Sequence, residues 1–123
     1  MPSDASLHIS KHDGVTVVAL SREYENLDED NLSELTDTLL KVAQNAKPPL
    51  VVLDLSSTTF FGTSFLGTLI RVCNRLRARE GGRLALCELT PHCAKVLRVT
   101  HLDGLWDVFG SQEEALSALS VDA

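Results

Sequence analysis

Residues 50–69 read LVVLDLSSTTFFGTSFLGTL. Asp54 interrupts an otherwise apolar opening, residues 50–55, of the kind found in strands buried on both faces of a sheet; a half-exposed strand would alternate apolar with polar positions. Pro48 and Pro49 stand directly before it. Proline supplies no amide donor and pushes its predecessor out of the α region, so any preceding helix stops at Lys47. After the polar break at residues 56–59 and the pair Phe60-Phe61, a helix is predicted to start near Thr63. At about 100° per residue, Leu66, Leu69, Ile70, Cys73 and Leu76 share one arc, with Phe65 and Val72 at its edge. The opposite arc carries Ser64, Gly67, Thr68, Arg71, Arg75 and Ala78, which are small or cationic.

Outward from this β–α unit the signals repeat. Upstream, an alternating run over residues 7–12 and a second β-rich run over residues 15–20 flank Asp13-Gly14, a strong hairpin signal. Residues 21–31 hold five acids and little apolar content, which predicts a solvated connection with Asp28 or Asp30 as the N-cap of the next helix. In that helix Leu32, Leu35, Leu39, Val42, Ala43 and Ala46 recur at three- and four-residue steps. Downstream, Gly81-Gly82 predicts a left-handed C-cap, with Arg75, Arg77 and Arg79 where the helix dipole favours cations. A strand is expected over residues 83–89, and a helix from Pro91 to about Thr100 capped by Thr90. A short strand follows over residues 105–109. A last helix runs to Leu119, opened by the capping box Ser111-x-x-Glu114. The order β-β-α-β-α-β-α-β-α predicts one α/β domain over residues 1–123, with a mixed, mostly parallel sheet of four to five strands and about four helices.

With 123 residues, one core is expected. Apolar residues at 44 % and charged residues at 23 % exclude disorder and small disulfide scaffolds. Seventeen acids against eleven bases give a net charge of −6, which argues against a phosphate-neutralising nucleic-acid binder and for a protein partner. Cys73, Cys87 and Cys93 show no metal-ligand spacing and read as buried thiols in a reducing compartment. The N-terminus lacks a signal-peptide pattern and no run approaches the length that spans a bilayer, which predicts a soluble, cytoplasmic protein without membrane insertion.

The sequence offers little catalytic chemistry. Neither GxxxxGK[ST] nor GxGxxG is present, and Gly62-Thr63-Ser64-Phe65 puts a bulky ring where a nucleophile elbow needs glycine. His8 and His12 lie in the first run, His92 and His101 in other segments, and all four read as surface or loop residues. Asp54 lies within its strand, where a hydrogen-bonding role is expected. No catalytic residue, metal site or cofactor is predicted. What stands out is Thr63 and Ser64, hydroxyls at a helix start where backbone amides lack partners. Thr63 would serve as an ordinary N-cap. It would equally tolerate a phosphate, which the helix dipole favours and which would add about −1.5 to −2 charges to a docking face.

The segment from Val51 to Leu69 resembles the signature of STAS domains, the bacterial anti-sigma factor antagonists. In these, an apolar strand ending Asp-Leu-Ser is followed by Phe-Ile-Asp-Ser-Ser-Gly-Leu-Gly at a helix start. The likeness continues through the arginines and Gly-Gly to Leu89, through residues 96–102, and into Glu113-Glu114-Ala115-Leu116. The resemblance implies a phosphoprotein of signal transduction and transcription regulation. The first hydroxyl of the motif is phosphorylated by a cognate anti-sigma serine kinase, and the unphosphorylated form binds that kinase and frees the sigma factor. Carried over, the phosphoacceptor is Thr63, with Ser64 as second candidate. The partner-binding surface comprises Gly62, Thr63, Ser64, Gly67, Thr68, Arg71 and Arg75. Two positions depart from the family: Gly62 replaces Asp, and Phe65 replaces a tight Gly. The alternative is a degenerate STAS module, a non-phosphorylated scaffold or a cytoplasmic subunit of a transporter or lipid-transport complex.

Overall fold

In a computed structural model, residues 7–21, 26–27, 29–61, 63–100 and 106–119 are described. The strands β1 (Leu7–His12) and β2 (Val15–Leu20) form the expected hairpin. Asp13 and Gly14 both take positive φ, 51° and 86°, as the two-residue turn matching strand twist requires. The pair β3 (Asn26–Leu27) precedes α1 (Glu29–Asn45), which leads through the prolines to β4 (Leu50–Asp54). Next come β5 (Phe60–Phe61), α2 (Thr63–Arg77), β6 (Arg83–Cys87), α3 (Pro91–Val99), β7 (Asp107–Phe109) and α4 (Gln112–Leu119).

The main sheet has order β1-β2-β4-β6-β7, antiparallel only between β1 and β2. All five residues of β4 are buried, because it is central and covered on both faces. Val51, Leu53 and Leu55 join a core shared with α1, α2 and α3, while Leu50 and Val52 join a smaller one closed by Ala115 and Leu119 of α4. Thus a strand read as continuous apolar sequence supplies both cores from alternate residues.

Several expectations need correction. Residues 26–27 are not merely a connection, because β3 pairs in parallel with β5 in a separate two-stranded sheet. Asp30 lies inside α1 rather than capping it; Asp28 falls outside the described residues, as do Gly62, His101 and Leu105. Strand β6 stops at Cys87, because Glu88 takes a positive φ of 59° that breaks extended geometry. At α4, Ser111 Oγ accepts from the Glu114 amide as expected, but the Glu114 carboxylate accepts from Gly110 rather than from the capping residue. Arg79 lies beyond the end of α2, and its guanidinium donates to the Ala43 carbonyl near the end of α1 at 2.9 Å. Asp54 has the hydrogen-bonding role expected of it, accepting from the Ser56 amide and the Gln112 side chain.

Candidate functional site

The chain leaves the C-terminal end of β4 through a short loop that is tightly held. The Leu55 amide donates to the Cys87 carbonyl, the Thr58 amide donates to the Leu55 carbonyl, and the Cys93 thiol donates to the Thr58 carbonyl. In β5 successive side chains face opposite ways, so Phe61 is buried while Phe60 points outward. The Phe61 ring packs on Phe65 with centroids 5.2 Å apart. The benzyl group that replaces the family's tight glycine therefore fills core space under the first turn of α2, and does not stand on the surface. This anchorage fixes where α2 begins, at Thr63; the Thr63 side chain is outside the described residues.

Beyond that start, Ser64, Gly67, Arg71 and Arg75 are exposed along α2. Thr68 is not. It was expected on the same polar arc, yet it is only 4 % exposed, because α1 packs against that side of α2. Its hydroxyl meets that of Thr36 at 2.8 Å. The helix is covered by the sheet and by α1 together, so its buried arc is wider than the apolar stripe and turns towards Phe65, Thr68 and Val72. Ser64, Thr68 and Arg71 line one side of an open groove whose other side is Ser33, Thr36 and Asp37 of α1, with Leu32 at its edge. Farther along, Arg75 donates to the Gln44 side chain at 3.5 Å. A β-carbon at Gly67 would meet nothing within 4 Å, so packing within the fold does not require a glycine there.

Burial pushes all three cysteine thiols up in pKa, Cys87 to about 12 with the Asp54 and Glu88 carboxylates adding to the effect. They are inert neutral groups inside the cores at neutral pH. His8, His12 and His92 are exposed, and among the described residues no three His, Cys, Asp or Glu side chains gather as a metal site. Nor is any described helix long and apolar enough to cross a membrane.

The STAS domain family profile matches residues 6–115. The chain belongs to the STAS domain family. A curated relative, the anti-sigma F factor antagonist of Paenibacillus polymyxa, is 25 % identical over 115 residues, covering 94 % of this chain and 95 % of that protein. A solved STAS domain protein from Planctomyces limnophilus, described as an anti-sigma-factor antagonist, superposes with a TM-score of 0.85 at 34 % identity, covering 94 % of this chain and 98 % of the other. The fold alone also recurs in the murine solute carrier 26 family member A9 anion transporter, at 13 % identity and a TM-score of 0.71, where it covers 89 % of this chain and 18 % of the transporter. Among the described residues this STAS domain thus has the architecture read from its sequence, a mostly parallel main sheet of five strands with four helices.

Proposed function

We propose that this STAS domain is a regulatory protein-binding module of the anti-sigma antagonist type, switched by phosphorylation at Thr63. The observation that carries the reading is the anchored start of α2. The helix opens at the position where the STAS motif has its phosphoacceptor, four residues before a run of surface formed by Gly67, Arg71 and Arg75. A kinase would transfer the γ-phosphoryl group of ATP to the Thr63 hydroxyl oxygen, releasing ADP and the hydroxyl proton. The product dianion would sit at the positive end of the helix dipole, so the fold would survive while the docking face gained about −1.5 to −2 charges. In the unphosphorylated form the same face binds the partner, an anti-sigma serine kinase. Exposed Gly67 favours this, because a glycine inside a helix lowers helix stability and here meets no internal constraint; its use is close approach of another chain.

The test is binding of the partner kinase to Thr63→Ala and Thr63→Glu variants. Thr63→Ala should bind constitutively and Thr63→Glu should bind at least about ten-fold more weakly through like-charge and desolvation costs. Equal binding by both would remove the switch and leave the alternative, a non-phosphorylated scaffold.

A further inference from the structure

The outer face of α3 carries an apolar line flanked by cations. His92, Val96 and Val99 recur at four- and three-residue spacing, which places them along one side of the helix, while Cys93 and Leu97 turn into the core. Phe60 extends that line at the N-terminal end, its ring stacked on the His92 imidazole with centroids 5.6 Å apart and planes 26° from parallel. Phe60 is 45 % exposed and Val99 67 %. Lys95 and Arg98 are exposed beside them, and residues 89–100 contain no acid. The exposed charges on α3 itself are therefore positive on a chain whose net charge is −6, with Asp107 of β7 lining the cavity on the Arg98 side.

The surface is also held in place. Thr90 caps α3 by accepting from the Cys93 amide, and the Cys93 thiol donates to the Thr58 carbonyl in the loop that carries Phe60. Aromatic and helix are thus locked together before anything binds, which lowers the ordering cost of an interface. We infer that the α3 face is a second docking surface, apart from the start of α2, for an acidic protein segment that sets apolar side chains on Phe60 and Val99 and carboxylates on Lys95 and Arg98. A membrane is a poorer occupant: lasting attachment takes two strong signals, and one short helix face with two lysine or arginine charges supplies neither a lipid anchor nor a polybasic patch. Nucleic acid is disfavoured by the overall negative charge.

The inference does not depend on the Thr63 switch and is tested without it. The full chain, labelled for backbone NMR, is titrated with a synthetic amphipathic peptide of two heptads, leucine at the core positions and glutamate elsewhere. The control is the same peptide with lysine for glutamate, and a parallel arm uses vesicles of phosphatidylserine and phosphatidylcholine. The expected result is saturable shifts at Phe60, His92, Lys95, Val96 and Val99 with the glutamate peptide alone. They should weaken roughly ten-fold or more in Lys95→Glu/Arg98→Glu and in Phe60→Ala, with the melting temperature of the charge variant within a few degrees. No saturable shift, shifts confined to the α1–α2 groove, equal response to the lysine peptide, or response to vesicles only would overturn it. Shifts at these residues on raising protein concentration without peptide would also overturn it, by making the occupant a second copy.

Discussion

The hydroxyl oxygens of Thr36 and Thr68 lie 2.8 Å apart in the buried seam between α1 and α2. Each satisfies the other in a region otherwise closed by Leu32, Leu35 and Leu39 on one helix and Phe65, Leu69 and Val72 on the other. Thr68 also approaches the Ser64 carbonyl at 3.4 Å, so the pair links α1 to the first turn of the helix proposed to carry the switch.

Removing one member strands the other. Thr68→Val should cost about 1–3 kcal/mol by leaving the Thr36 hydroxyl buried without that partner, whereas Thr36→Val/Thr68→Val should recover most of the loss. Denaturant unfolding of the two single variants and the double measures the coupling. Additive losses would mean that the hydroxyls act independently.

Gly67 is expected to divide stability from function. With open space at its β-carbon, Gly67→Ala should raise stability by up to about 1 kcal/mol, because alanine is the better helix former. The same change should weaken partner binding by adding a methyl group to the contact face. Calorimetric melting and a binding isotherm on one preparation check both signs.

Arg71 and Arg75 are exposed on the same side of α2. Reversing both to Glu should lower affinity for the partner kinase by roughly ten-fold or more while moving the melting temperature by only a few degrees. Unchanged affinity would move the interface off this face.

Cys87 gives a pH test of the smaller core. Its thiol is pushed up from 9.0 to about 12, chiefly by burial and further by Asp54 and Glu88. Between these values the unfolded chain has lost a proton that the native chain retains, so unfolding releases protons and stability falls as pH rises. The contribution is fully present below about pH 9 and is lost towards pH 12. Cys87→Ala should therefore show a shallower alkaline decline than the parent chain in denaturant midpoints taken across that range. Identical slopes would contradict the assignment.

How much of this was legible depended on whether a residue's environment was local. The apolar run in β4, the Asp13-Gly14 turn and the Thr90 and Ser111 caps could be read because strand, turn and cap chemistry are set by neighbours in sequence. The β3–β5 pairing could not, since two residues carry no periodicity and the pairing joins Asn26–Leu27 to Phe60–Phe61 across all of α1 and β4. The burial of Thr68 is not legible, because a helical wheel with one apolar arc presumes one neighbour, whereas α2 has the sheet and α1. The signal that would have found it is Thr36, a polar residue beside Leu35 on the inward side of α1. The start of α2 near Thr63 is legible in the sequence, while the groove beside it depends on which side α1 packs on.

The most direct measurement of the central claim is site-resolved mass analysis after the chain is incubated with ATP and the kinase recovered with it from its own cells. The account predicts a single added phosphate, on Thr63, and none in Thr63→Ala. An unmodified chain, beside a kinase shown to phosphorylate another substrate, or a phosphate placed on Ser64 instead, would contradict it.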